Sequence, residues 1–281
     1  MNNVKLFTDS TCDLSTEMLT ENDISVIPLY ITFNELSYKD SIDMNTAELY
    51  SKVDALGILP KTAAPTPSDF LNAFKPFVDA GKDIVYIGLS SQLSSTVQNA
   101  LLAAREFPKG KVNVIDSLNL STGVGILVMK AVDFKREGLS AKEITERISE
   151  IVPKGRTFFT IDTYEYLYKG GRCSAMQGLV GSMLQIKPIT KLVDGNIVLY
   201  DKQRGRKKVL ASLLQEINKD LERIDPSRVF IVNSFAKEDA IYLEQELKNK
   251  LNLGNVVITD AGCVISSHCG KKALGISYIT K

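Results

Sequence analysis

Three hydroxyl-rich segments carry the first chemical signal in this chain: Thr8-Asp9-Ser10-Thr11, Ser90-Ser91-Gln92-Leu93-Ser94-Ser95-Thr96 and Asp116-Ser117. Each follows an apolar run that reads as a strand, ending near Phe7, Ile87 and Ile115. In an open α/β sheet the carboxyl ends of parallel strands share one edge, where ligands usually bind. The segments are therefore expected to converge and to offer hydroxyls and helix-start amides to an anionic group. Ser, Thr and Asp also cap helices, and that structural role stands beside the binding one. His268 is the only histidine, in Cys263-Val264-Ile265-Ser266-Ser267-His268-Cys269-Gly270. The flanking Gly262 and Gly270 predict a tight loop with close backbone approach.

Ser94, His268 and either Asp9 or Asp116 supply the residue types of a serine hydrolase acting on a lipid ester, since such triads are defined by geometry and not by chain order. No Gly-x-Ser-x-Gly elbow supports that reading. A phosphate-binding Gly-x-x-x-x-Gly-Lys-Ser/Thr loop and a Gly-x-Gly-x-x-Gly turn are absent as well. Cys12, Cys173, Cys263 and Cys269 form no Cys-x-x-Cys pair, and with one histidine a zinc site would need nearly every candidate to converge. Reduced, mostly buried thiols and no metal are expected. After a hairpin signal at Asp194-Gly195, Lys202, Arg204, Arg206, Lys207 and Lys208 crowd together, either as a solvated basic face or as a docking patch for an acidic partner.

These residues need elements to position them. Val4–Phe7, Ile24–Ile31, Asp83–Gly88 and Val112–Ile115 read as strands, and Thr46–Leu56, a segment capped at Ser68-Asp69 and running to Asp79, and Ser95–Phe107 read as helices. That alternation predicts an α/β domain with a mostly parallel sheet over residues 1–155. Residues 156–281 read as a second, α+β domain. Its strands fall at 157–161, 189–192, 197–200, 228–232, 255–259 and 275–279, and its helices at 163–168, 176–184, 209–223 and 236–251.

The 281 residues carry 34 basic and 33 acidic side chains, an even balance that gives no charge-driven nucleic-acid binding. The balance conceals an acidic first half (15 basic, 20 acidic in residues 1–155) and a basic second half (19 and 13). The uncharged run 84–104 holds too many Ser, Thr, Gln and Asn side chains to cross a bilayer. The start of the chain reads as a strand rather than a signal peptide, so a cytoplasmic location is expected.

In order along the chain, Asp9-Ser10-Thr11-Cys12-Asp13-Leu14, Thr62-Ala63-Ala64-Pro65-Thr66-Pro67-Ser68-Asp69-Phe70, Leu89–Thr96, Asp116-Ser117, Tyr168-Lys169-Gly170-Gly171-Arg172, Lys187-Pro188-Ile189 and His268 through Gly275 together resemble the DegV family. The resemblance covers almost the whole chain. It departs from the usual family pattern at Ala63-Ala64, at Ser95 where glycine is common, and at Lys271-Lys272. It implies two α/β domains with a long-chain fatty acid held between them and no other cofactor. It implies carboxylate binding by Thr62, Ser94 and His268, with Asp9, Ser10, Ser95, Asp116, Ser117 and Arg172 in supporting loops. The characterised members of the family serve as the fatty-acid-binding subunit of a bacterial fatty acid kinase. An ATP-binding partner subunit phosphorylates the carboxylate, the acyl phosphate enters phospholipid synthesis, and membrane contact is transient, for lipid exchange. Arg204 best matches the family's kinase-docking arginine. Met176, Leu179, Val180, Met183 and Leu184 would line the acyl tunnel or, equally, form ordinary core.

Overall fold

The computed structural model describes residues 3–172 and 186–281. The expected helix at 176–184, its five candidate tunnel residues and Cys173 lie outside the described residues.

A four-stranded parallel sheet has the order β2-β1-β6-β7, with β1 at Val4–Asp9, β2 at Ile24–Ile27, β6 at Asp83–Gly88 and β7 at Val112–Asp116. Every residue of β1 is buried, as expected for a parallel strand covered on both faces. The single strand expected over Ile24–Ile31 is two. Pro28 has no N–H for a ladder, and the Leu29 N–H turns away to donate to Ser10 Oγ at 3.1 Å. The chain then enters a small antiparallel sheet of order β4-β3-β5 (β3 Tyr30–Phe33, β4 Leu36–Lys39, β5 Lys61–Ala63), which places Thr62 opposite Ile31.

After the short α1 (Thr16–Glu21), helix α2 spans Thr46–Leu56 behind an Asn45–Glu48 capping box. Helix α3 spans Pro67–Asp79, capped two residues earlier than expected by Thr66, whose hydroxyl accepts from the Asp69 N–H. Helix α4 is Thr96–Ala104, shorter than expected at both ends. Two long helices escaped the sequence reading, besides the short α1. The first, α5 (Thr122–Arg136), is buried nearly all round between the two main sheets, so it shows no amphipathic stripe. The second, α6 (Ala141–Ile151), carries a Ser140–Glu143 capping box and an Ala141, Ile144, Ile148 buried stripe, both present in the sequence.

The second main sheet is mixed, of order β10-β9-β8-β13-β11-β12. Its strands are β8 Gly155–Thr160, β9 Ile186–Val193, β10 Asn196–Arg204, β11 Val229–Ser234, β12 Val256–Asp260 and β13 Ala273–Ile279. The helices among them are α7 (Glu165–Lys169), α8 (Arg206–Asp220), α9 (Lys237–Lys250) and α10 (Cys263–Cys269). Strand β13, last in the chain, lies centrally, antiparallel to both β8 and β11. The turn between β9 and β10 has positive φ at both Asp194 (48°) and Gly195 (79°), the backbone that an Asp-Gly hairpin favours. The segment around His268 is a helix, not the expected tight loop: Gly262 and Gly270 bound α10 at its two ends.

Candidate ligand-binding site

The loops after β1, β6 and β7 do meet at the carboxyl edge of the parallel sheet, but most of their polar groups are committed to one another. Asp9 is fully buried and accepts from Thr11 N (3.0 Å), Thr11 Oγ1 (2.5 Å), Tyr86 Oη (2.8 Å) and Leu89 N (2.9 Å). Burial raises its pKa above the ordinary carboxylate value, and those donors oppose the rise. Asp116 accepts from Ser91 N (3.2 Å) and Leu118 N (3.0 Å). Ser117 is bonded to the Asn119 backbone, and Ser10 receives the Leu29 N–H. Ser95 is exposed and makes no cap bond to α4. None of these five lines the cavity described next; they shape the loops that do.

Thr62, Ser94, Arg172 and His268 line one cavity of about 470 Å³, together with Leu29, Leu93 and other apolar side chains. Strand β5 brings Thr62, the turn before α4 brings Ser94, the residues after α7 bring Arg172, and α10 brings His268. Thr62 Oγ1 and His268 Nε2 are hydrogen-bonded at 2.8 Å. Ser94 Oγ pairs with Thr96 Oγ1 at 2.8 Å and accepts from Thr96 N at 3.3 Å, which fixes it at the start of α4. Arg172 is exposed; its Nε donates to Leu93 O (3.3 Å) and its Nη1 to Gly170 O (2.6 Å).

The His268 Nδ1 atom is buried and has no hydrogen-bond partner among the described residues. Burial, and secondarily the Arg172 charge, push the imidazole pKa down to about 4, so the ring is neutral at physiological pH. Gly170 explains how the ring fits: a Cβ there would stand 2.3 Å from Nδ1. In the sequence Gly170 reads only as a helix stop.

Leu120, Ile197, Ile265 and His268 border this cavity and also a deeper one of about 520 Å³, so the two adjoin at these four residues. Phe159, Leu167, Val232, Ala273 and Leu274 help to line the inner chamber, which runs between the second sheet and α10. Apart from His268, the sequence offered no signal for this neck, because Leu120, Ile197 and Ile265 are ordinary apolar positions from separate parts of the chain.

Arg204 sits at the end of β10 and lines neither cavity, and Arg206 beside it is paired with Asp239 at 2.6 Å. The turn at the opposite end of the hairpin is docked inward: Ser90 Oγ donates to Gly195 O at 2.8 Å in a buried contact. At this tip Gly195 is buried by the contact, while Val193, Asp194 and Asn196 stay exposed.

A family model described as "Uncharacterised protein, DegV family COG1307" matches residues 3–281. The chain belongs to the DegV family. A DegV domain-containing protein of Clostridium acetobutylicum is 35% identical over 281 residues, covering 100% of both chains. A solved DegV family protein from Thermus thermophilus, described for its fatty acid binding, is 29% identical with a TM-score of 0.93, over 99% of this chain and 100% of that one. A stearic acid-binding protein from Eubacterium ventriosum is 26% identical with a TM-score of 0.88, over 100% of this chain and 99% of that one.

This DegV chain has the mixed α/β fold of those structures, with a parallel-sheet region and a separate sheet-rich one. It does not assemble the hydrolase triad. Ser94 is bonded to Thr96 and His268 Nε2 to Thr62, while Asp9 and Asp116 are taken up by loop amides and hydroxyls and Nδ1 meets no carboxylate. Cys12, Cys263 and Cys269 are buried free thiols. Among the described residues no group of three or more His, Cys, Asp or Glu side chains is placed to hold a metal ion, and no helix is long and apolar enough to cross a membrane.

Proposed function

We propose that this DegV protein binds a long-chain fatty acid, with the carboxylate at Thr62, Ser94 and His268 and the acyl chain in the inner chamber. The observation that carries the reading is the juxtaposition itself: three polar side chains at one end of an apolar chamber that they share through His268. Burying a sixteen-carbon chain at about 0.8 kcal/mol per methylene gives a gross driving force of roughly 11 kcal/mol before ordering costs. The polar groups then need only orient the head. With His268 neutral and Nδ1 enclosed without a partner among the described residues, the favoured tautomer carries its proton on Nε2 and donates it to Thr62 Oγ1. The threonine hydroxyl proton is thereby left to donate to the carboxylate, and the exposed Arg172 guanidinium adds a nearby positive charge.

In this reading the protein is a carrier rather than an enzyme and uses no cofactor beyond its lipid. It presents the carboxylate to an ATP-binding kinase subunit. A carboxylate oxygen attacks the γ-phosphorus, the bond to the β-phosphate oxygen breaks, and ADP leaves with the acyl phosphate remaining on the carrier. Arg204 and the exposed Lys207 and Lys208 would receive that partner, in the cytoplasm, with membrane contact only for lipid exchange. Division into units at residue 155 belongs to the same proposal. The test is mass spectrometry of lipid extracted from the purified protein. A stoichiometric long-chain fatty acid in the wild type, depleted in Thr62→Ala, Ser94→Ala and His268→Ala, is the expected result. Unchanged lipid content in all three variants overturns the head-group assignment.

A further inference from the structure

Helix α10 begins without a cap of its own, because Gly262 at its start has no side chain. The first amides are satisfied by two carboxylates from the other end of the chain. Asp13 Oδ1 accepts from Gly262 N at 2.9 Å, and Asp40 accepts from Cys263 N at 2.9 Å and Val264 N at 3.4 Å. Both aspartates are almost fully enclosed, with exposures of 4% and 1%. Their remaining capacity is used locally: Ser121 Oγ donates to Asp13 Oδ2, and Ser41 Oγ donates to Asp40 Oδ1 at 3.2 Å. A Cβ at residue 262 would come within 3.3–3.4 Å of the carboxylate oxygens of both. Neither aspartate lines the cavities.

Two buried aspartates with no cation partner among the described residues are an expensive way to cap seven residues, where a serine at position 262 would serve locally. What they achieve beyond capping is a fixed reference. Asp13 follows the first strand of the parallel sheet and Asp40 follows β4, in the small sheet that carries Thr62. The same helix that they grip carries His268 in its last turn. We propose that Asp13 and Asp40 are positioning residues for head-group recognition, holding α10 at the height where His268 meets Thr62. The inference rests on the fatty-acid reading for its ligand, but not for its geometry.

Two measurements test it. Because His268 is the only histidine, imidazole ¹⁵N NMR of the ligand-free protein reports on one ring without assignment. Asp40→Ala and Asp13→Ala should shift the Nε2 resonance away from its Thr62-bonded position. Asp13→Asn, which keeps an oxygen for the Gly262 N–H, should leave it near wild type and serves if an alanine variant fails to fold. Unchanged Nε2 signals in both alanine variants overturn the proposal whatever the protein binds. The second measurement compares affinity for stearic acid and for octadecanol, which differ only in the head. The alanine variants should lose about tenfold or more for the acid and less than twofold for the alcohol. Equal loss for both would make the aspartates merely structural and overturn the proposal. A wild type that binds neither would instead sink the fatty-acid reading, leaving the NMR result to judge the positioning role.

Discussion

At residue 170 a single hydrogen stands where a methyl group would strike the His268 ring. Gly170→Ala should therefore push the imidazole off Thr62 and lower stearic acid affinity by about tenfold, the worth of one hydrogen bond to a charged group. Isothermal titration checks this, and wild-type affinity would show that the ring has room to move. The protonation of His268 gives a second prediction. Its native pKa of about 4 lies below the unfolded value near 6.5, so the stability held by the neutral ring is complete above pH 6.5 and drains away as pH falls toward 4. Relative to wild type, ligand-free His268→Gln should gain about 3 kcal/mol across that window, read by urea unfolding at several pH values. Asp13 acts in the opposite sense. Burial raises its pKa to about 8, so its stabilising proton is kept in acid and lost as pH rises toward 8. Thr62, Ser94 and His268 were legible in the sequence as a family pattern, and the structure gathers all three at one cavity. Asp9, Asp116 and Ser117 were legible as loop residues but not as inward-turned ones, because a carboxylate's direction depends on donors such as Tyr86 and Leu89 that arrive from another strand.

Among the elements, the β9–β10 hairpin was readable because an Asp-Gly turn announces itself locally, with positive φ at both positions. Its function was not, because the contact that matters spans the gap from Ser90 to Gly195. Ser90→Ala would leave the Gly195 carbonyl buried and unsatisfied and remove an acceptor from Gln92 N. A loss of about 1–3 kcal/mol is expected by chemical denaturation, together with a looser head-group loop. A stability unchanged within a few tenths of a kcal/mol would mean that the turn carbonyl finds another donor. Helix α5 was invisible for the opposite reason: buried between two sheets, it has no polar face to set a period. Helix α10 was hidden because its caps lie more than two hundred residues away in sequence.

The charge of the whole molecule, acidic in residues 1–155 and basic beyond, gives a partner something to read at a distance. Under the carrier reading, Arg204→Glu should leave bound lipid intact, since this residue lines neither cavity. Acyl-phosphate formation with the kinase subunit should fall, and its salt dependence should flatten, because steering acts mainly on association. Lipid loss in that variant would assign Arg204 to the fold instead. The alternation of strands and helices predicted the parallel sheet well, whereas the order of the second sheet was beyond the sequence, since nothing local says that the last strand enters the middle.

That central place for β13 has a consequence for how the protein comes into being. Strands β8 and β11 flank a gap that only Ala273–Ile279 can fill. Until that strand is in place the second sheet is two unjoined parts, β10-β9-β8 and β11-β12. The inner chamber, which Ala273, Leu274 and Gly275 help to wall, cannot close before that strand pairs. Asp13 and Asp40 likewise wait for amides that lie more than two hundred residues further along the chain. The chamber therefore closes in one long-range event, and a chain without β13 would keep the strands of its parallel sheet but lose a wall of the chamber.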